Sequence, residues 1–132
     1  MPMEQDIRVL LVDDYELNAS IIGDYLNIAG IDVSICHSGK ECLLHLEEGN
    51  LPDILLLDIQ MPGMDGIEVM RIIRSHEQKD IRDLLIVALT ALAMDGDAKR
   101  CLEAGANFYL SKPIKLQELL GFIISKVKEL PV

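Results

Sequence analysis

Asp13-Asp14, Asp58, Thr90 and Lys112 each stand directly after a run of largely apolar residues, so each sits where a candidate strand ends. The central run, Ile54-Leu55-Leu56-Leu57, lies between Pro52-Asp53 and Pro62-Gly63 and ends in the Asp58 carboxylate. An unbroken aliphatic run of that length reads as a strand buried on both faces. Three carboxylates gathered in one cleft repel each other. At a separation of ~4 Å and an effective dielectric of about 20, each pair costs about 4 kcal/mol. That is a large share of the ~5–15 kcal/mol that holds a domain together, so the cluster needs a cation. All-oxygen ligation with room for water and a phosphate suits Mg2+, with Mn2+ as a substitute. Lys112 adds an ammonium and Thr90 a hydroxyl for an anionic oxygen, a set suited to phosphoryl transfer onto a carboxylate. Taken singly, each group has a plainer role: Asp14 or Thr90 as a helix cap, Lys112-Pro113 as a turn. Asp65, beside Gly66, is read only as the cap of a helix. Four strand ends that all carry site-competent groups favour the joint reading.

The elements that must position these groups alternate along the chain. Strands are predicted over Ile7–Val12, Ile31–Cys36, Ile54–Leu57, Leu84–Leu89 and Ala106–Leu110. The first helix starts at Tyr15, carries Leu17, Ile21, Ile22, Tyr25, Leu26 and Ala29 as its stripe, and closes at Gly30. Ser38-Gly39-Lys40-Glu41 has the form of a capping box and opens a second helix to about Glu48. The third helix follows Asp65, with Ile67, Met70 and Ile73 on one stripe and Val69 and Ile72 broadening it. Ala91 to Ala104 reads as a fourth helix, made the least settled by Gly96. Leu116, Leu119, Leu120, Ile123, Ile124, Val127 and Leu130 mark a C-terminal helix. Five strands alternating with five helices imply an α/β, flavodoxin-like doubly wound (βα)5 fold. Its five-stranded parallel sheet has order 2-1-3-4-5 and helices on both faces. In that order strands one and three are neighbours, so Asp13-Asp14 and Asp58 meet at the switch point.

Composition narrows the function classes. The chain has 132 residues, one domain by length with a core at about 6–130, and no output domain is visible. A net charge of -10, from 22 acids against 12 Lys and Arg, repels phosphate backbones and argues against direct nucleic-acid binding. No apolar run reaches the roughly 18 residues of a membrane span, and the N-terminus lacks a signal-peptide pattern. A cytoplasmic location is expected. Cys36, Cys42 and Cys101 lack metal-ligand spacing and read as buried or free reduced thiols. His37, His45 and His76 are scattered over one strand end and two helices, with no partner acid at a triad spacing; for His76 a solvated surface group is favoured over a phosphodonor.

Val12-Asp13-Asp14, Asp58 with Met61-Pro62-Gly63-Met64-Asp65-Gly66, Ala88-Leu89-Thr90-Ala91, and Tyr109-Leu110-Ser111-Lys112-Pro113 together resemble the receiver domain of two-component response regulators. The likeness covers essentially the whole chain. It implies that Asp58 accepts a phosphoryl group from a phosphohistidine on a histidine kinase or phosphotransfer domain. It also implies Mg2+ held by Asp13, Asp14, Asp58 and the backbone carbonyl of Gln60, and Lys112 pairing with the acyl phosphate. Pro113 would follow a cis peptide bond. Thr90 would move toward the phosphoryl group and Tyr109 would turn inward behind it. That motion would remodel the surface of the fourth helix, fifth strand and fifth helix for a downstream protein or for dimerisation on phosphorylation. Gln60 and Leu92 occupy the positions that tune hydrolysis in such domains. Residues 93–105 and Asn18 resemble receivers attached to hybrid histidine kinases, whereas Asn107-Phe108 stands where an acidic pair is often found. On this reading the chain is a signalling module and not a turnover enzyme. The alternative is a receiver-fold interaction domain that works without phosphorylation. An aspartyl phosphatase would need a second acid where Gln60 stands.

Overall fold

The structure is a computed structural model that describes residues 7–91 and 95–128. Its elements run β1 (Arg8–Val12), α1 (Glu16–Ile28), β2 (Asp32–Cys36), α2 (Gly39–Glu47), β3 (Ile54–Asp58), α3 (Gly66–Arg74), α4 (Lys79–Arg82), β4 (Ile86–Thr90), α5 (Asp95–Ala104), β5 (Phe108–Ser111) and α6 (Leu116–Lys128). All strands are parallel and the sheet order is β2-β1-β3-β4-β5, the predicted arrangement. β2 is an edge strand, as its alternating pattern implied, and β3 is buried at every position.

Strand side chains point alternately to the two sheet faces, and two separate cores result. Leu10, Val12, Leu55, Leu57, Ile86 and Ala88 pack under α2, α3, α4 and α5. Val9, Leu11, Ile54, Leu56, Val87 and Leu89 pack under α1 and α6. Continuously apolar strands in the sequence were therefore strands covered on both sides. Two caps form where the sequence placed them. The Ser38 hydroxyl accepts from the Glu41 N–H at 3.1 Å, and the Asp65 carboxylate accepts from the Glu68 N–H at 3.0 Å.

Several expectations need correction. The buried stripe of α1 is Ala19, Ile22, Gly23 and Leu26, whereas Leu17, Ile21 and Ala29 are exposed. Small residues face the sheet here because the helix packs close: a Cβ on Gly23 would lie 2.9 Å from Ile35 Cδ1. Ile72 of α3 is likewise exposed. The one-turn helix α4 was not foreseen. It is four residues long, has no side-chain cap, and is held by the buried Ile81, so no periodicity could show it. α5 begins at Asp95; Leu92 and Leu130 lie outside the described residues. His76 lies at the surface, part exposed, but it has a partner: its Nε2 pairs with Glu47 at 2.8 Å, tying the end of α3 to α2. The three cysteines are free and buried, and burial pushes the Cys36 thiol up to about 11 and Cys42 to about 12.

Arg74 closes the edge of the sheet opposite the acids. Its Nε donates to the Gly105 carbonyl at 2.9 Å, and its Nη1 donates to the Arg82 and Leu84 carbonyls, each at 2.7 Å. Nη2 donates at 2.9 Å to Asn107 Oδ1, which also accepts from the Ile86 N–H at 2.8 Å. One guanidinium thus ties α3 and α4 to β4 and the turn before β5. Arg74→Ala strips partners from several carbonyls at once and is expected to lower unfolding free energy by about 2 kcal/mol in a urea titration. A change under about 0.5 kcal/mol would mean that water replaces the guanidinium without loss.

Candidate functional site

β1 and β3 are adjacent in register, with Val12 opposite Leu57, so the residues that follow, Asp13 and Asp58, emerge side by side. Both are buried, and Asp14 beside them is exposed. Oxygens of Asp13, Asp14 and Asp58 all lie within 4.8 Å of one another. Asp14 does not cap α1. The cap position is Tyr15, whose side chain makes no capping bond, so the plainer reading of Asp14 fails.

The cluster is held by donors from the backbone and from two side chains. Asp13 Oδ1 accepts from the Tyr15 N–H at 3.0 Å, and Oδ2 accepts from the Asn18 amide at 2.5 Å. Asp58 Oδ1 accepts from the Gln60 N–H at 3.1 Å. Lys112 leaves β5 and its Nζ lies 3.4 Å from Asp58 Oδ2 and 3.7 Å from Asp13 Oδ2. The Lys112–Pro113 peptide is cis, and the Lys112 N–H donates to the Thr90 carbonyl at 2.8 Å. Thr90 is buried at the end of β4. The His37 Nδ1–H, which sequence reading left on the surface, donates to the Asp13 carbonyl at 3.0 Å.

The electrostatics follow from burial. Desolvation pushes the Asp58 carboxyl above its ordinary value; the Lys112 ammonium and the Gln60 N–H pull it down, and the Asp13 charge pushes it up again. Among the described ion pairs Lys112 is the one cation that meets this cluster, so three carboxylates face one ammonium. The two charges left over are what a divalent cation carries. A donor set made only of carboxylate oxygens, part buried and part open at Asp14, fits Mg2+ in preference to a soft metal. Chemically, the arrangement can present Asp58 as a nucleophile while cations face its oxygens.

The remaining site residues fall as follows. Gln60 directly follows β3 and Ile59, and it is exposed. Tyr109, half-buried, packs against the α2–α5 side of the sheet, and its hydroxyl oxygen accepts from the Ser111 hydroxyl at 3.3 Å. Asp65 serves α3 as its cap and is not among the clustered acids. Alongside the acids, a groove of about 580 Å3 runs between α1 and the β5–α6 turn, walled by Tyr15, Asn18, Ile21, Lys112 and Ile114. Ile21 and Ile22, both on the sequence-read stripe of α1, share its apolar wall with Ile114 and Leu116. Among the described residues no helix is long and apolar enough to cross a membrane.

Residues 9–124 match the family model described as the response regulator receiver domain. A hybrid signal transduction histidine kinase L from Dictyostelium discoideum is 38% identical over 119 residues, which is 88% of this chain. The chain spans only 7% of that kinase's length. The polar-differentiation response regulator DivK of Brucella ovis is 35% identical over 117 residues, 89% of this chain and 93% of the relative. Among solved structures, the receiver domain of the sensor histidine kinase PA1611 from Pseudomonas aeruginosa superposes with a TM-score of 0.82. It is 34% identical, over 93% of this chain and 98% of that one, and holds a magnesium ion coordinated in its active site cleft.

Proposed function

The chain belongs to the response regulator receiver domain family, a family of signalling modules, and on that premise we propose that it is the phosphoacceptor of a phosphorelay. The reading rests above all on one observation, the buried Asp58 that shares Lys112 with Asp13 at the end of adjacent strands. Asp58 Oδ2 attacks the phosphorus of a phosphohistidine on a kinase or phosphotransfer domain. The new O–P bond replaces the N–P bond, and the imidazole nitrogen leaves with the electron pair. The Gln60 N–H fixes Asp58 Oδ1, so the other oxygen is presented for attack. Lys112 then offsets charge on the acyl phosphate, and Thr90 turns its hydroxyl to a phosphoryl oxygen. Asp13, Asp14, Asp58 and the Gln60 carbonyl would hold Mg2+, which when bound supplies charge neutralisation for the acids and the phosphoryl oxygens. The exposed Tyr15 and Ile21 of α1 line the groove beside the acids and suit an apolar docking surface for the donor.

Movement of Thr90 toward the phosphoryl group would leave room for Tyr109, and the α5–β5–α6 surface would change with it. That surface is the proposed reader site for a downstream protein or a second copy of the chain. Gln60 and Leu92 would set how readily water reaches the phosphoryl group.

The test is intact mass after incubation with acetyl phosphate, with Mg2+, with chelator, and with Asp58→Ala. One added phosphoryl group that needs both Mg2+ and Asp58 is expected. Label that persists in Asp58→Ala would move the acceptor elsewhere. No label on a wild type that still binds Mg2+ would favour an interaction domain working without phosphorylation. Following the decay of the label in Leu92→Asn tests the tuning role, which an unchanged rate would sink.

A further inference from the structure

Asn18 stands on the first turn of α1, one turn past the acids, and is half-buried. Asparagine is among the weaker helix formers, because its amide competes with the backbone for hydrogen bonds. Its presence here is therefore not explained by the helix. Nor does it cap α1, because that position belongs to Tyr15. What its side chain does is donate from Nδ2 to Asp13 Oδ2 at 2.5 Å.

Asp13 needs such a donor. The terminal torsion of an aspartate is broad and two-fold, so a single hydrogen bond leaves the carboxylate free to tilt. Tyr15 N–H pins Oδ1 at 3.0 Å. Lys112 does not pin Oδ2. At 3.7 Å from Asp13 and 3.4 Å from Asp58 it balances charge between two acids, beyond the ~2.7–2.9 Å of a charge-assisted hydrogen bond. The Asn18 amide is the short contact to Oδ2 and, with Tyr15, fixes the plane of the group. Each carboxylate oxygen has two lone pairs, so both bonds leave capacity on both oxygens. The donor carries no charge and adds nothing to the cation count of the cleft.

We propose that Asn18 is a positioning residue for the divalent cation: it holds Asp13 in the orientation that binds Mg2+, without touching the metal. The inference deepens the reading above and rests on its claim that the acidic cleft takes Mg2+. Partners in this position, which orient a ligand while staying outside the coordination sphere, commonly change metal affinity by about 10–100-fold when removed.

Mg2+ alone is the probe, titrated calorimetrically into the full chain and into Asn18→Leu and Asn18→Gln, with melting in chelator as the structural control. Leucine matches the shape of asparagine and favours the helix, but lacks the donor. Asn18→Leu is expected to weaken Mg2+ binding about tenfold while melting in chelator at or near the wild-type temperature. Asn18→Gln keeps the amide on a longer arm and should recover most of the affinity. Equal affinity in wild type and Asn18→Leu would overturn the inference alone. So would a loss in Asn18→Gln as large as that in Asn18→Leu, because side-chain shape and not the donor would then be at work. A wild type that binds no Mg2+ would overturn the inference together with the reading beneath it. If Asn18→Leu does not fold, Asn18→Ala, which also lacks the donor, takes its place in the same comparison.

Discussion

Asp58→Asn is expected to melt at a higher temperature than the wild type in chelator, and to lose phosphoryl acceptance completely. The two effects have one cause. Asp58 is buried, within reach of two other carboxylates, and shares Lys112 with Asp13. Removing its charge relieves repulsion that metal-free protein must carry. Asparagine keeps an oxygen for the Gln60 N–H and nearly the same volume, so packing is unchanged. A gain of about 1–2 kcal/mol is reasonable for relief of one partly compensated like-charge contact, which for a chain of this length is roughly 4–7 °C.

The pH dependence has a definite sign. Burial and the Asp13 charge outweigh Lys112, so the native Asp58 carboxyl sits above its ordinary value. Between the unfolded and native values the folded chain binds more protons than the unfolded one. Unfolding free energy therefore falls as pH rises through that window. Stability associated with this group is complete below the unfolded value, near ~3.9 for an aspartate, and is lost above the native one. The gap between Asp58→Asn and wild type should be small in acid and full near neutrality. Saturating Mg2+ should narrow or reverse it, since the ion binds the native wild type and stabilises it by mass action. A variant that melts below the wild type in chelator at neutral pH would show that the acids are already compensated, and the case for a cation site would weaken.

How much of this could be read in the sequence depends on the kind of information each feature needs. β1, β3 and β4 were legible because strands covered on both faces leave unbroken aliphatic runs, and each run delivered its polar residue to the same edge. The caps at Ser38 and Asp65 were legible because a cap is local, decided within four residues. The face of α1 was not. Leu17 and Ile21 have the right spacing to be core, and only the close packing of Gly23 against Ile35 shows that the small residues point inward. Arg74 was invisible for the opposite reason. Its partners Gly105 and Asn107 lie some thirty residues away, and three of its four acceptors are backbone carbonyls, which leave no mark in side-chain chemistry. Asn18 lay between these cases. Its type was odd for a helix, but that its amide serves Asp13 needs coordinates.

Gly66→Ala is expected to lower stability by about 2–3 kcal/mol and to weaken Mg2+ binding, although Gly66 carries no functional group. Glycine is not required there for a left-handed backbone, which is the case at Gly63 with its φ of +76°. It is required by contact. A Cβ on Gly66 would lie 2.7 Å from the Asp58 carbonyl oxygen and 2.8 Å from Ile59 Cα, backbone atoms that cannot swing aside as a side chain does. The first turn of α3 would have to withdraw from the end of β3, stretching the Gly66 N–H bond to the Ile59 carbonyl, now 3.0 Å. Ile59 precedes Gln60, whose N–H fixes Asp58 Oδ1 and whose carbonyl is the proposed fourth ligand. The strain therefore runs into the site, and overpacking of this kind typically costs about 1–3 kcal/mol. Gly63→Ala is the control. It has open space around its Cβ, so it should lose about 1–2 kcal/mol to backbone strain while Mg2+ affinity stays within about twofold. Thermal melts in chelator and calorimetric Mg2+ titrations of both variants make the comparison. If Gly66→Ala destabilises the fold but binds Mg2+ as the wild type does, the helix can withdraw without moving Gln60. The tight seat of α3 on β3 would then serve stability alone.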